Sequence, residues 1–297
     1  MLLESKDFSI FVHVKSIRTI IYLIMRVLAD GGSTKTDWLL IHDNDSKERF
    51  TTCGINPSLL PADEVETSLR QVQAEHSVLF EAESIEFYGA GCTPAGCSVM
   101  RECMQTVFPK AKHLTVGSDI IGAARALLPD REGIACILGT GANSCFWDGE
   151  RIVMQTPALG YILGDEGSGA VLGRLLVNAL YKGMLPASMK AEFENEYQTD
   201  MMGVIERVYR KPAANRWLAS LSPFVCKHID CPEVEGLVIS NFDTFVERNI
   251  LPYNRPDLPV SFVGSIAHYY GRQLRQSVES HGLVMGRVLR SPLDAMV

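Results

Sequence analysis

The sequence predicts an α/β protein made of two similar halves, each opening on a small meander of strands, with a cleft between the halves. Short apolar runs that end in glycine-rich turns alternate with segments whose apolar residues recur at helical spacing. The succession of strand, Gly/Thr turn, strand and third strand also occurs twice, first from Val27 and again from Ile134. Ligands of α/β sheets gather at the carboxyl ends of the strands, so we expect the functional site in the cleft.

The first half is predicted to open with three strands. Residues 27–30 and 37–41 are apolar runs joined by a glycine-rich turn, which is a hairpin signal. Residues 50–53 form a third strand, which the turn residues at 54–57 close. A helix is predicted over 61–79, because proline suits a first turn, acidic residues come early and apolar residues recur at helical spacing. Strands at 85–88 and 114–116 then alternate with helices at 98–108 and 120–128.

The same order of elements restarts at residue 134. Three strands are predicted over residues 134–138, 144–147 and 151–155, and Asp148-Gly149 makes the turn between the last two. Residues 166–250 are predicted to be mostly helical. A late strand at 259–263 and a long helix at 266–280 end the pattern.

Residues 1–24 do not share the pattern of the core. The apolar run at 20–25 is cut by Arg26 and is far shorter than the roughly 20 residues of a membrane span. No small-residue cleavage site follows it. We therefore expect a cytoplasmic protein that begins at or near Met25, with residues 1–24 as an extension outside the core. The predicted lobes are 25–117 and 118–297, and we expect the last helix to pack back on the N-terminal lobe.

The composition is that of a globular protein and argues against several classes of partner. Of 297 residues, 46% are hydrophobic, and 35 acidic residues outweigh 28 basic ones for a net charge of −7. A chain of this charge without a long Lys/Arg run is a poor binder of nucleic acid or anionic membranes. The eight cysteines show no CxxC spacing and are expected to be reduced, buried thiols. A homodimer formed through helices within 166–250 is a further expectation.

The turn between the first two strands carries residues suited to a phosphate. Glycines let the backbone come close to a phosphate, hydroxyl groups add donors, and Lys35 adds positive charge. Asp30, at the end of the strand, is suited to hold Mg²⁺ through water. An ordinary hairpin turn rich in small residues is the alternative. The candidate phosphate-binding residues here are Gly32, Ser33, Thr34, Lys35 and Thr36.

The turn that opens the second half offers the same chemistry without a charge. It is not a dinucleotide-binding fingerprint, because Ser144 replaces the third glycine and a strand follows where a helix is required. An ordinary turn is again the alternative, but two such hairpins at equivalent points fit a nucleoside triphosphate held from both sides. The candidate residues are Gly139, Thr140 and Gly141, together with Gly264 and Ser265 in a later turn that either approaches the nucleotide or simply joins strand to helix.

Carboxylates at two further turns are candidates for chemistry. Asp119 follows a strand on a tight turn, where it either deprotonates a hydroxyl that attacks a phosphate or caps the next helix. Asp165 and Glu166 lie in a glycine-rich segment. They either favour the positive end of a helix or form part of a sugar pocket on which Tyr161 stacks.

Together these motifs resemble the sugar kinase/actin/Hsp70 ATPase superfamily, and more closely the BadF/BadG/BcrA/BcrD ATPase family with its N-acetylglucosamine kinase members. The resemblance covers residues 25–297. The order of the motifs and the Gly-Asp-Glu-Gly-Ser string at 164–168 carry it. It implies a two-lobed actin-like ATPase fold of the ribonuclease H type, with mixed sheets and a central cleft.

The resemblance also implies a role for each motif. Asp119 would be the base for the 6-hydroxyl of a sugar, Asp30 would position Mg²⁺, and Thr34 and Thr140 would bind phosphates of ATP. Tyr161 would pack on the sugar ring, where some members carry Trp. The residues implied to bind the sugar are Asn56, Asn143, Gly160, Tyr161, Asp165 and Glu166.

We therefore predict an ATP- and Mg²⁺-dependent kinase that phosphorylates N-acetylglucosamine on O6. Glucosamine and N-acetylmuramic acid are alternative acceptors. A second branch of the resembling family comprises ATPases that activate a redox enzyme through an iron–sulfur cluster, but Cys92, Cys97 and Cys103 do not reproduce that arrangement. A nucleotide-binding regulator without transfer chemistry is a third alternative, and the presence of Asp119 counts against it.

Overall fold

The structure, a computed structural model, describes residues 25–32, 34–42 and 44–296. The predicted extension at 1–24 and the candidate phosphate ligand Ser33 lie outside these residues. The described strands form two five-stranded sheets. They are β1 (Arg26–Gly31), β2 (Lys35–Ile41), β3 (Lys47–Cys53), β4 (Ser84–Gly89), β5 (His113–Ser118), β6 (Gly133–Leu138), β7 (Ala142–Trp147), β8 (Ile152–Thr156), β9 (Pro259–Val263) and β10 (Val284–Leu289).

The two sheets have the same topology, as the repeated sequence pattern predicts. The first sheet has the order β3-β2-β1-β4-β5 and the second has the order β8-β7-β6-β9-β10. In each, the first three strands in chain order form an antiparallel meander, and the remaining two add in parallel beside the first. The prediction of an α/β fold with two mixed sheets is therefore confirmed.

Helices connect and cover the strands, and several begin at side chains that cap the free backbone N–H groups. Thr93, Ser168 and Asp200 accept hydrogen bonds from the first turns of α2, α5 and α7. The helices are α1 (Ala62–Glu75), α2 (Pro94–Val107), α3 (Asp119–Leu127), α4 (Gly160–Leu163), α5 (Gly169–Tyr181), α6 (Ala187–Glu196), α7 (Met201–Tyr209), α8 (Ala214–Ala219), α9 (Ser222–Lys227), α10 (Pro232–Phe245), α11 (Ser265–Tyr269) and α12 (Gly271–Ser280). No helix within the described residues is long and apolar enough to cross a membrane.

Each sheet builds its own apolar core. Phe87 and Trp38 are fully buried between the first sheet and α1 and α2. The helices that follow residue 160 form a larger core against the second sheet, with Phe242 and Phe262 fully buried. Burial of apolar side chains on one face of each sheet fixes which strand residues remain free to face the other way.

Helix α3 links the two sheets. It begins at Asp119, directly after β5 of the first sheet. Its apolar residues Ile120, Ala123 and Leu127 pack against Cys145 of β7, in the second sheet. The first residue of α3 therefore lies between the strand ends of one sheet and the hairpin of the other.

The C-terminal residues differ from the expectation. Strand β10 was not predicted, because its residues are mostly half-exposed and its pairing with β9 shifts register between Met285 and Val288. The final helix α12 packs on α10 and β10. The segment that returns to the first sheet is instead a short turn, Pro292–Asp294, whose Leu293 is buried with Leu28 of β1.

Candidate functional site

The strand ends of the first sheet form the floor of the candidate site. Strands β1, β4 and β5 run parallel, with Gly31 beside Gly89 and Gly89 beside Ser118. Asp30 and Asp119 flank this row, one just before the end of β1 and the other just after β5. The carboxylates are close enough for the charge of Asp119 to raise the pKa of Asp30. Parallel strands thus bring together two residues 89 positions apart in the sequence.

Asp119 is partly buried at the start of α3, and two hydrogen bonds fix its carboxylate. Its Oδ1 accepts from the backbone N–H of Ile120 at 2.7 Å and lies 3.5 Å from Nδ2 of Asn143. Burial raises the pKa of Asp119, and these two donors oppose the rise. Asn143 belongs to the second sheet, so this contact spans the gap between the two sheets.

Asp30 carries the most perturbed carboxylate of the site. Burial first, then the charges of Asp37 and Asp119, raise its pKa to about 7, while Lys35 acts in the opposite direction. Asp37 lies directly across the β1–β2 ladder from Asp30, and like charges in that position destabilise each other. This excess of negative charge suits a divalent cation, although no group of three His, Cys, Asp or Glu side chains within the described residues has the geometry of a metal site.

Among its described residues, the first hairpin exposes only some of those predicted to bind phosphate. The N–H of Gly32 donates to the carbonyl of Lys35 at 2.8 Å, which closes the turn, and Thr34 is exposed. Lys35 forms a 2.6 Å ion pair with Asp37 and stays largely exposed. Thr36 is fully buried, and its hydroxyl accepts the N–H of Ile55 at 3.3 Å. Thr36 therefore stabilises the hairpin from the buried face of the sheet and is not exposed to the cleft. This position is contrary to the expectation that Thr36 binds a phosphate directly.

The second hairpin is held by the start of α5. The N–H groups of Gly169 and Ala170 donate to the carbonyls of Gly139 and Thr140 at 2.8 and 3.1 Å. These bonds use free N–H groups of the helix terminus and attach the hairpin to α5. Gly141 closes the turn by accepting from the N–H of Gly139 at 3.0 Å.

Gly264 lies against the second hairpin and has room for no side chain. Its φ of +124° is rarely adopted by other residues, and a Cβ there would collide with the carbonyl of Leu138. The following residue, Ser265, is exposed at the start of α11. Ile266 meets the N-terminal glycine of α5, Gly169. The structure therefore brings together the second hairpin, α5 and the turn at residues 264–265.

The two acidic residues of the glycine-rich segment have separate partners. Asp165 adopts a left-handed conformation, lies beside Gly141, and accepts a hydrogen bond from the backbone of Ala142. Burial nevertheless raises its pKa. Glu166 forms a 3.0 Å ion pair with Arg248. Asp165 is thus at the second hairpin, whereas Glu166 faces α10 and the residues after it.

The remaining predicted sugar ligands have different local surroundings. Asn56 is buried, its Oδ1 accepts the N–H of Ser58 at 3.0 Å, and it fills the space where a side chain at position 91 would stand. Gly160 is exposed with a φ of +74°. Tyr161 is partly buried against the core of the second sheet.

Sequence reasoning missed two residues that contact the site. Asp37 forms an ion pair with Lys35 and lies opposite Asp30 in the β1–β2 ladder. The sequence could have indicated this residue, because residues opposite each other in a hairpin share a face of the sheet. Gln155 of β8 donates to Asn143 at 3.0 Å. Only the register between β7 and β8 brings those two residues together, and no local motif marks it.

Comparison with solved structures decides the family. The chain is 47% identical to a "putative N-acetylglucosamine kinase" from Porphyromonas gingivalis, over 92% of this chain and 97% of that one, with a TM-score of 0.89. This chain belongs to the same sugar-kinase family. Membership in the sugar-kinase family makes it a phosphotransferase, as the motifs predict. No family model matches the chain, and no curated protein matches it significantly.

Two more distant structures share the fold of this sugar kinase. A "putative N-acetylglucosamine kinase" from Chromobacterium violaceum has 17% identity and a TM-score of 0.67, with 92% of this chain and 97% of that one covered. A non-polymerising mutant of MamK bound to AMPPNP has 12% identity and a TM-score of 0.51, with coverages of 91% and 95%. These likenesses confirm the predicted actin-like fold.

Proposed function

We propose that this sugar kinase is an ATP- and Mg²⁺-dependent enzyme that transfers the γ-phosphate of ATP to the 6-hydroxyl of N-acetylglucosamine. One observation carries the proposal, which is that Asp119 lies between the two hairpins. It contacts Asn143 of the second hairpin, and it is close enough to Asp30 of the first for its charge to raise the pKa of Asp30. A triphosphate held by both hairpins would therefore present its end to a carboxylate. The family relationship supports the acceptor, because the Porphyromonas gingivalis protein carries that sugar in its name.

Asp119 is the base in this proposal. It is partly exposed, and burial raises its pKa, which brings it closer to the neutral range where a general base is most effective. Both of its hydrogen bonds go to Oδ1. We therefore assign Oδ2 to the acceptor hydroxyl, whose proton moves to Asp119 as the sugar oxygen attacks phosphorus.

Asp30 and the two hairpins hold the phosphates and Mg²⁺. A bound Mg²⁺ would neutralise the negative charge that develops on the transferred phosphoryl group. Asp30 fits this ion because its carboxylate lies in an acidic cluster at a strand end, and Mg²⁺ retains several waters and needs few protein ligands. The N–H of Gly141 and the hydroxyls of Thr34 and Thr140 face the phosphates in this arrangement, with Lys35 adding charge. The N–H groups of Gly32 and Gly139 close the two turns, and these glycines let the backbone approach the phosphates. Gly264 and Ser265 border the adenosine.

The sugar occupies the side of the cleft formed by Asn143 and the glycine-rich segment. Asp165 is placed to accept sugar hydroxyls because its carboxylate lies beside the second hairpin. In this proposal Asn56 contacts the sugar from the first lobe, and Gly160 and Tyr161 contact it from the second. Glu166 contributes once its pairing with Arg248 is exchanged for a hydroxyl. The assignment to the BadF/BadG/BcrA/BcrD family and to the cytoplasm belongs to the same proposal, and the free state of all eight thiols supports the location.

A redox activator receives no support from the cysteines of this chain. Cys92 and Cys103 are buried, and Cys103 donates to the carbonyl of Ala62 between α1 and α2. An interfacial iron–sulfur cluster needs exposed thiols that converge on one surface.

The decisive experiment measures ATP consumption against a panel of sugars. N-Acetylglucosamine, glucosamine, N-acetylmannosamine, N-acetylmuramic acid and glucose are compared, and the product is analysed for the site of phosphorylation. Asp119→Asn should reduce kcat by about 10²–10⁴-fold, the usual contribution of a general base. Binding of ATP should be nearly unchanged, since Asp119 contacts the acceptor.

Asp148→Asn is the matched control, because Asp148 lies on an exposed turn between β7 and β8. It should leave the rate unchanged. Normal turnover in Asp119→Asn would refute the assignment of the base. Preference for another sugar of the panel would correct the acceptor while leaving the kinase in place.

A further inference from the structure

The β7–β8 hairpin places three side chains on one face, directed at the start of α3. Gln155 lies opposite Cys145 in the ladder, and Asn143 is two residues before Cys145 on the same strand. Residues two apart on a strand share a face, and a long side chain reaches its diagonal neighbour on the next strand. Cys145 packs against α3, and burial first, with a smaller contribution from the charge of Asp119, raises the pKa of its thiol. This face therefore points towards Asp119.

The hydrogen bonds of Asn143 leave a single orientation for its amide group. The backbone N–H of Ser144 lies 2.9 Å from one end of the amide, and a backbone N–H can only donate, so that end must be the oxygen. Nε2 of Gln155 donates to the same oxygen at 3.0 Å. The NH₂ group is thereby turned to the opposite side, where Oδ1 of Asp119 lies at 3.5 Å.

We propose that Gln155 is a positioning residue, which holds the amide of Asn143 so that its NH₂ group donates to Asp119 and keeps that carboxylate aimed at the acceptor hydroxyl. Gln155 does so from an exposed position on strand β8, without touching Asp119. The expected effect of Gln155 on turnover rests on the proposed kinase activity. The effect of Gln155 on the orientation of Asn143 does not depend on that activity.

The other groups around Asp119 cannot replace this function. The N–H of Ile120 is part of the α3 backbone and does not depend on Asn143. The hydrogen bonds described for Asp119 do not include Asp30, and the nearby thiols of Cys92 and Cys145 are weak donors. Among the described side chains, Asn143 is the amide that contacts Asp119, and its orientation is therefore the variable that Gln155 controls.

Two isosteric substitutions separate positioning from packing. Gln155→Leu removes the donor, so Asn143 retains only Ser144 and its NH₂ group becomes mobile. Gln155→Glu replaces the donor with an ionised acceptor, which repels Oδ1 of Asn143 and attracts its NH₂ group away from Asp119. We expect kcat to fall by about 10-fold in Gln155→Leu and by about 10²-fold in Gln155→Glu, the range caused by misplaced reacting groups. KM for ATP should stay unchanged in both.

A second measurement reads Asn143 directly and does not require turnover. In ¹⁵N NMR spectra, the side-chain NH₂ signals of Asn143 are assigned by their loss in Asn143→Ala. Their exchange with solvent should accelerate in Gln155→Leu, and their position should change further in Gln155→Glu. Gln71→Leu, the same substitution at an exposed hydrogen-bonded position of α1, is the control and should alter neither kcat nor these signals.

The outcomes are distinguishable from failure of the proposed function. If the wild-type protein phosphorylates no sugar of the panel, the kinase assignment fails, and the NMR signals of Asn143 still decide the role of Gln155. Unchanged Asn143 signals in both variants would overturn positioning. A wild-type kcat in Gln155→Glu would also overturn it, because the carboxylate keeps the shape of the glutamine side chain but cannot donate to Asn143.

Discussion

The two hairpins occupy equivalent places in their sheets, but the first carries charged residues where the second carries uncharged ones. One pair before the turn, the first hairpin sets Asp30 opposite Asp37, whereas the second sets Ile137 opposite Asn143. Like charges that face each other across a ladder are unfavourable. The first hairpin therefore keeps an electrostatic cost that the second lacks. Burial first, and then the charges of Asp37 and Asp119, raise the pKa of Asp30 to about 7.

The hairpins also differ in what holds them. The turn of the second is fixed from behind by two N–H groups of α5, and the carboxylate of Asp165 takes the N–H of Ala142. The turn of the first is closed by Gly32 and Lys35 and is attached to the following loop through the carbonyl of Thr34. No helix terminus lies beneath it among the described contacts.

This difference shows how a duplicated fold divides one task. The second hairpin, neutral and anchored, is suited to place groups precisely, and it is the one that positions Asn143 beside Asp119. The first hairpin concentrates charge where a cation and phosphates are expected. Removal of the buried carboxylate from the first hairpin should therefore lower activity while it raises stability.

Asp30→Asn should produce the largest effect, and with opposite signs on activity and stability. Loss of the carboxylate that would position Mg²⁺ should lower kcat by roughly 10²–10³-fold, comparable to the loss of one preorganised electrostatic group. The melting temperature should instead rise at pH 8, because a charge that is costly to bury has been removed. Steady-state kinetics and thermal unfolding at several pH values measure both.

The sign of the stability effect follows from the raised pKa. Asp30 has an ordinary value of 3.8 and a folded value of about 7, so the folded state binds the proton more tightly and wild-type stability falls as pH rises from about 4 to 7. The amide that Asp30→Asn introduces cannot ionise, so the variant should match the wild type near pH 4 and exceed it above pH 7. Asp37→Asn is the control that retains Asp30. A melting temperature of Asp30→Asn below that of the wild type at pH 8 would contradict the electrostatic cost.

The sequence alone predicted the fold more completely than the site. The repeated Gly/Thr turns indicated two equivalent meanders, because apolar periodicity and turn chemistry are local properties of the chain. The sequence could not show that Thr36 is buried. Alternation along the strand assigns Thr36 to one face of the sheet but does not indicate which face is covered. Contacts such as Gln155 with Asn143 depend on the register between strands, and register is set by the packing of a whole face.

Thr36→Val should lower stability and affect activity only as a consequence. Valine has nearly the shape of threonine but no acceptor, so the buried N–H of Ile55 would lose its partner. Leaving a buried donor unpaired costs about 1–3 kcal/mol. In a chain of this size, 1 kcal/mol corresponds to a shift of about 2–4 °C in melting temperature.

Thr34→Val is the matched control for Thr36→Val, because Thr34 is exposed on the same turn. It should leave the melting temperature unchanged and raise KM for ATP if its hydroxyl binds phosphate. A melting temperature of Thr36→Val equal to that of the wild type would show that Ile55 finds another acceptor. The two threonines would then not differ in their contribution to stability.

Lys35→Met should have the smallest effect on stability and a clear effect on nucleotide binding. Its ion pair with Asp37 is 2.6 Å long, but 61% of the lysine side chain is exposed. Exposed pairs contribute about 0–1 kcal/mol, so the melting temperature should scarcely change. If Lys35 exchanges Asp37 for a phosphate, KM for ATP should rise most at low salt, where charges are least screened. Lys47→Met, at an exposed position of β3, is the control. An unchanged KM at low salt would show that Lys35 does not exchange Asp37 for a phosphate, and the first hairpin would then hold the nucleotide without a positive charge, as proposed for the second.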